Sequence, residues 1–176
     1  MTQRRIVLVG FMGCGKTTVA KELARHLDCD FVDLDTFITE SLGQSPAEII
    51  QTEGEAIFRK LETRALEDVL NRSELRVIAL GGGTWTMETN RTMVARQDSL
   101  SVWLDAPFDL CWKRIISSGD TVRPLAPDRD AAKTLFESRR ADYGLAQLRI
   151  RLTSETELTE ILDKIVTNSV SSSHPN

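Results

Sequence analysis

Lys16 and Thr17 stand at the end of the run G-x-x-x-x-G-K-T, with Gly10 and Gly15 as its glycines, inside "VGFMGCGKTT" from Val9 to Thr18. Glycines let the backbone curl until its N–H groups point at phosphate oxygens. The lysine brings positive charge to the β- and γ-phosphates, and the threonine hydroxyl faces a Mg²⁺ ion. A helix that starts at the end of the loop adds its dipole. The run lies between an apolar segment and an amphipathic one, which is the setting such a loop requires, so a nucleotide site is expected. Cys14 sits inside the loop and reads as a small filler, although a helix N-terminus can lower a thiol pKa. The spacing does not say what receives the phosphate.

Other residues bear on the acceptor. Asp33 and Asp35 lie at i and i+2 around the end of a short apolar segment, "FVDLD". If that segment is a strand of a parallel sheet, its carboxyl end faces the ligands, and the pair can reach Mg²⁺ and an acceptor hydroxyl. Either aspartate can instead cap the next helix. Asp105, after "SVWL", has an equal claim to be a metal-binding acid, or it opens the helix of "DAPFDL". Gly81, Gly82 and Gly83 follow another apolar run. They make either a tight turn or a strip of bare backbone that a ligand can approach closely. Arg59, Arg123, Arg139 and Arg140 could all be solvated surface charges. Together they could also serve an anionic acceptor, because guanidinium forks match carboxylates and phosphates.

These residues need elements to hold them. Short apolar runs alternate with amphipathic ones, the pattern of an α/β domain with a parallel sheet. "RIVLVG" predicts the first strand. Lys16 to Leu27 predicts a helix with Val19, Ala20, Leu23, Ala24 and Leu27 on one face. "FVDLD", "VIAL", "LSVWLD" and "RIRL" supply four more strands. "SPAEII" opens a helix, with Ser45 as cap, Pro46 in the first position and Glu48 closing a capping box. Further helices are expected over Glu55 to Leu70 and Pro107 to Ile116. "SETE", Ser154 to Glu157, reads as a second capping box before a last helix to about Val166. The stretch 117–130, rich in Gly, Pro, Ser and Asp, is either a plain surface loop or a mobile lid. Residues 1–168 are read as one domain and 169–176 as a disordered tail.

Composition excludes several classes. The chain has 176 residues, a net charge of −4, 41% hydrophobic and 27% charged residues, and no dense basic run. That argues against nucleic acid as a partner. Cys14, Cys29 and Cys111 are too scattered for a zinc site or a disulfide framework and fit a reducing compartment. Arg4 and Arg5 before an apolar run imitate a signal peptide, but phosphate-loop glycines and Lys16 inside the run favour a buried strand. No apolar stretch approaches the ~20 residues of a membrane helix.

The motifs "GFMGCGKTT", "FVDLD", "EAIFRKLE", "LGGG", "TVRPL" and R-x-x-x-Y from Arg139 to Tyr143 occur in the order found in shikimate kinases, and the chain resembles that family from about Arg5 to Val166. The resemblance implies a three-layer α/β/α P-loop kinase fold like that of nucleoside monophosphate kinases. Its five-stranded parallel sheet would have the order 2-3-1-4-5, with a mobile lid. ATP would phosphorylate the 3-hydroxyl of shikimate. Gly13, Cys14, Gly15, Lys16, Thr17 and Thr18 would bind the ATP phosphates, and Arg114 would stack on adenine. Thr17 and Asp33 would hold Mg²⁺, Asp33 through water. Asp35 would bind the shikimate hydroxyls and act as base. Arg59 and Arg139 would clamp the carboxylate beside Gly81, Gly82 and Gly83, and Arg123 would close over the phosphates from the lid. The chain departs from the family in two places. The segment from Arg114 to Arg123 is longer than in some members, and "RRADY" replaces R-x-P-L-Y, so a shift of the helix exchanges Arg139 and Arg140. A cytoplasmic monomer is expected. The rival readings are a gluconate kinase, a nucleoside monophosphate kinase, and a nucleotide-binding regulator without catalysis. The regulator would be marked by loss of Lys16, Asp35 or Arg123, all of which are present.

Overall fold

The computed structural model describes residues 4–119 and 124–170. In chain order the elements are β1 (Arg5–Val9), α1 (Lys16–Leu27), β2 (Asp30–Asp33), α2 (Leu34–Leu42), α3 (Pro46–Glu53) and α4 (Glu55–Leu70). There follow β3 (Leu75–Ala79), a 3₁₀ turn (Thr84–Thr86), α5 (Glu88–Ala95), β4 (Ser99–Asp105), α6 (Phe108–Ser117), α7 (Arg129–Tyr143), β5 (Leu148–Arg151) and α8 (Leu158–Ser169). The five strands form one parallel sheet in the order β2-β3-β1-β4-β5. Successive side chains of a strand point to opposite faces. Ile6, Val7, Leu8 and Val9 are nonetheless all 0% exposed, so helices cover both faces of β1. That double burial is why β1 reads as an unbroken apolar run rather than an alternating one, in contrast to the partly exposed edge strands β2 and β5.

Several helix ends follow from local chemistry. α1 begins where Gly15 adopts a left-handed conformation that ends the phosphate loop. Ser45 and Glu48 form the expected capping box, with Pro46 in the first turn of α3. α8 differs from its expectation. The N-cap is Glu157, without a side-chain cap bond, and the helix starts at Leu158. The expected box needed Ser154 as cap and Glu157 three residues into the helix, but Glu157 stands at the cap itself, and Thr153 and Thr156 close a turn ahead of it, Thr156 Oγ1 accepting from the Thr153 amide at 2.8 Å and meeting Thr153 Oγ1 at 3.1 Å. α8 also runs past Val166 to Ser169, which was read as the start of the tail. Ser169 is buried, and its carbonyl accepts from the Arg4 amide at 3.1 Å. The rest of that tail, 171–176, lies outside the described residues.

The sheet places the chemistry by ending four strands at one edge. β1 leads into the phosphate loop, β2 ends on Asp33, β3 leads to the triple glycine and β4 ends on Asp105. The stretch read as a lid begins in the last residue of α6 and ends in the first turn of α7. Residues 120–123, Arg123 among them, lie outside the described residues. No helix among the described residues is long and apolar enough to cross a membrane.

Candidate active site

The phosphate loop is built mostly from backbone. Gly13 has φ +76°, and a Cβ there would lie 2.6 Å from the Cys111 carbonyl oxygen, so only glycine lets the loop pack against α6. Lys16 Nζ donates to the carbonyls of Gly10 at 2.8 Å and Phe11 at 3.0 Å, which folds the side chain back over its own loop. Cys14 is buried beneath, which fits the filler reading, and burial pushes the neighbouring Cys111 thiol up to about 12. Asp33 serves two ends at once. Its Oδ1 accepts from the amides of Asp35 (3.1 Å) and Thr36 (3.3 Å), capping α2, while Oδ2 accepts from Thr17 Oγ1 at 2.5 Å. The cap and the phosphate-side role are therefore compatible. Arg114, in the last turn of α6, donates to the carbonyls of Cys14 at 3.1 Å and Gly13 at 3.4 Å. Beside it a cleft opens between Gly15 and Thr18 on one wall and Leu152, Thr153, Thr156 and Ile161 on the other.

A second pocket lies on the other side of Asp35. Met12, Pro46, Ala47, Ile50 and Phe58 form its apolar wall, and Asp35, Arg59, Glu62, Arg139 and the triple glycine form its polar one. Arg59 is held by two carboxylates. Glu62 Oε2 accepts from its Nη1 at 2.8 Å, and Glu55 Oε1 accepts from its Nη2 at 2.9 Å and its Nε at 3.2 Å. Glu62 is 1% exposed and uses its other oxygen to accept from Thr84 Oγ1 at 2.6 Å. Burial, then the charges of Asp33 and Glu62, push the Asp35 carboxyl up to about 6, against the pull of Lys16 and Arg59. A Cβ on Gly81 would lie 2.7 Å from Asp35 Oδ1 and 2.8 Å from Glu62 Oε1, and one on Gly83 would overlap the Arg59 guanidinium. The triple glycine is therefore the space in which these charged groups meet. Arg139 is buried against Gly82, whose carbonyl accepts from the Tyr143 hydroxyl at 2.5 Å. Burial raises the Tyr143 phenol well above its ordinary pKa, so it stays a donor.

A sequence model described as shikimate kinase matches residues 12–169. The chain belongs to the shikimate kinase family. The shikimate kinase of Lactococcus lactis subsp. cremoris is 42% identical over 152 residues, covering 86% of this chain and 90% of that protein. That of Synechococcus elongatus is 38% identical over 178 residues, covering 96% and 91%. Among solved structures, the shikimate kinase from Acinetobacter baumannii in complex with shikimate superposes with a TM-score of 0.84 at 33% identity, covering 95% of this chain and 93% of that one.

Within this shikimate kinase family member, the residues singled out in the sequence divide between the two clefts. Cys14, Gly15, Thr18 and Arg114 line the first, with Gly13, Lys16 and Thr17 in the same loop and Asp33 bonded to Thr17, and Asp35, Arg59, Gly81, Gly82, Gly83 and Arg139 line the second. Arg123 lies outside the described residues. Asp105 joins neither cleft, because Arg140 and Arg149 occupy its two oxygens. Arg140 is thereby drawn away from the pocket that Arg139 lines. Glu62, Thr84, Thr153 and Thr156 were given no role from the sequence, and Tyr143 entered only as the end of R-x-x-x-Y, without its bond to Gly82. Glu62 had a signal, three residues after Arg59 on the same helix, where opposite charges pair. The three threonines carry none, since the partner of Thr84 is 22 residues away and Thr153 and Thr156 meet in a turn of no fixed pattern.

Proposed function

We infer that this chain transfers the γ-phosphate of ATP to the 3-hydroxyl of shikimate, giving shikimate 3-phosphate and ADP on the route to chorismate and the aromatic amino acids. The observation that carries this is the pocket next to the phosphate loop, where two guanidinium groups, a carboxyl with a raised pKa and bare glycine backbone face an apolar wall. A small cyclic acid with several hydroxyls fits all four features. The carboxylate takes the arginines, the hydroxyls take Asp35, and the ring lies on Met12, Ile50 and Phe58. A nucleotide base has no use for two guanidinium groups, one buried and one half-buried.

The proposed roles divide between the two clefts and the lid. Gly13 to Thr18 bind the ATP phosphates, and Lys16 turns from the loop carbonyls to the β- and γ-oxygens. Arg114 stacks on the adenine at the cleft with Thr153 and Thr156. Thr17 and Asp33 present a hydroxyl and a carboxylate to one point beside the loop, an all-oxygen pair that suits Mg²⁺. They would hold the ion, Asp33 through water. Bound with ATP, Mg²⁺ would neutralise charge on the phosphates. Arg59 and Arg139 fix the acceptor carboxylate and thereby the direction of its hydroxyl. Asp35 accepts the hydroxyl proton, for which a pKa near 6 is well matched at neutral pH. Arg123 closes with the lid, excludes water and adds charge at the moving phosphoryl group. The protein is read as a cytoplasmic monomer. The test is ATP consumption measured in parallel with shikimate, gluconate and nucleoside monophosphates. Turnover confined to shikimate is expected, and equal turnover of gluconate would replace this reading with that of a broader sugar-acid kinase.

A further inference from the structure

Asp105 and Arg140 line neither cleft, yet they are held far more firmly than a surface ion pair. The Asp105 side chain is 8% exposed. Its Oδ1 accepts from Arg140 Nη1 at 3.0 Å, and its Oδ2 accepts from Arg149 Nε at 2.9 Å and Nη2 at 2.5 Å. The Arg140 guanidinium lies over the rings of Trp103 at 5.2 Å and Phe136 at 5.3 Å, and that of Arg149 over Trp103 at 4.5 Å. One carboxylate and one indole thus gather the end of β4, the last turn of α7 and the middle of β5.

We propose that Asp105, acting through Arg140, is a positioning residue for Arg139: it sets the rotation of α7 so that the Arg139 guanidinium faces Gly82 and the acceptor pocket. Consecutive residues on a helix diverge by about 100° around its axis, so two adjacent arginines cannot share a direction. Whichever one is anchored to the sheet decides where the other points. In the sequence the count back from Tyr143 favours Arg139, and a shift of the helix would exchange the two. Asp105 fixes the register, because a buried carboxylate requires cationic partners, and Arg140 supplies one from α7. Arg139 is then turned about 100° away from that anchor, where it is buried against Gly82. The same turn is also held by Tyr143 on the Gly82 carbonyl and by Trp85 Nε1 on the Asp142 carbonyl at 3.1 Å. Loss of the Asp105 anchor therefore loosens the aim of Arg139 without releasing the helix. This inference rests on the reading of Arg139 as a clamp of the acceptor carboxylate.

The test is steady-state kinetics on the full chain with two acceptors, shikimate and its neutral carboxamide, which lacks the charge that Arg139 holds. Arg140→Leu is expected to raise the KM for shikimate about five- to tenfold while kcat and the KM for the carboxamide stay within about twofold. Arg140→Lys should restore most of the preference for shikimate. Asp105→Asn should act in the same direction but less, since an amide still accepts one hydrogen bond, and it stands in should Arg140→Leu fold poorly. Arg149→Leu is the structural control. It removes the other guanidinium from the same carboxylate and the same indole, but on a strand that carries no clamp. It should lower the melting temperature and leave the shikimate preference intact. The proposal is overturned if Arg140→Leu raises both KM values alike, if it lowers only stability, or if Arg149→Leu reproduces its effect on shikimate. Arg139→Ala is run alongside. If it leaves the preference for shikimate over the carboxamide unchanged, the clamp reading itself is wrong and this inference falls with it.

Discussion

The two clefts on either side of Asp35 are made of different materials. The phosphate side is a short piece of chain, Gly10 to Thr18, whose own backbone does most of the binding and whose lysine rests on its own carbonyls. Asp33 and Arg114 reach it from a distance through side-chain hydrogen bonds. The acceptor side is assembled from side chains on α2, α4, α7 and the loop after β3, cross-braced by Glu62, Thr84 and Tyr143. A local site is carried by its own sequence. An assembled site depends on every element keeping its place. The first handles a group common to many substrates, and the second decides which substrate is used.

If that division holds, damage to the first cleft should fall on turnover and damage to the second on acceptor binding. The largest effect is expected for Lys16→Ala, which removes charge where the transferred group passes. kcat should fall by about a thousandfold or more with the melting temperature little changed. Near-normal turnover in that variant would end the kinase reading. Next is Arg123→Ala, expected to lower kcat by about a hundredfold or more and to raise the KM for shikimate far less, because its contact is strongest in the transition state. Arg123→Lys should restore only part, for want of the guanidinium fork. A normal kcat with a raised KM would make Arg123 a ground-state anchor.

Asp35 lies on the border and gives the sharpest test. Asp35→Asn should lower kcat by roughly a hundredfold or more. In the parent protein, kcat/KM should fall on the acid side with an apparent pKa near 6. The same variant should be more stable. The carboxyl titrates near 6 when folded against 3.8 as its ordinary value. Between those values the folded state binds more protons than the unfolded one, so stability falls as pH rises, and the full penalty persists above 6. Asparagine should recover about 1–3 kcal/mol at pH 7 and almost nothing at pH 4. Thermal melts at both pH values would read this, and an equal gain at each would exclude ionisation as the cause.

The smallest of these effects belongs to the acceptor clamp. Arg59→Ala and Arg139→Ala should each weaken shikimate binding by about ten- to a hundredfold, or about 1.5–3 kcal/mol, and leave ATP binding in the absence of shikimate unchanged. Calorimetry with each ligand separates the outcomes. A matching loss for ATP would erase the distinction between the two clefts.

The same distinction explains what could be read from the sequence. The phosphate loop was legible because its chemistry lies within ten consecutive residues, and the central strands β1, β3 and β4 were legible because burial on both faces makes them largely apolar, while the edge strands β2 and β5 were read from short mixed runs. The residues around Gly81 were legible only in part. Three glycines announce close approach, but what approaches is Asp35, Glu62 and Arg59, and no local pattern names partners so far along the chain. The count back from Tyr143 favoured Arg139 but could not fix it against Arg140, since the deciding contact is with Asp105, 35 residues before Arg140. The capping box before α8 failed for a related reason. Ser154 to Glu157 has the right composition, but Thr153, just outside that window, closes a turn with Thr156, and the helix starts only at Leu158 with Glu157 as its N-cap.

The bond from the Arg4 amide to the Ser169 carbonyl has a further consequence. It brings the first strand and the last helix to within one hydrogen bond of each other, so the described fold is nearly a closed ring of chain with a single nick. A short glycine-rich bridge should seal that nick, and new ends can then be cut elsewhere. The exposed turn at Gly43 and Gln44, between α2 and α3, is a suitable place, because a cut there severs no strand and lies outside the phosphate loop. The central strand β1 would then be made midway through synthesis rather than at its start. The permuted protein should reach the same sheet, because its order is fixed by which strands can be buried on both faces and not by which one leaves the ribosome first.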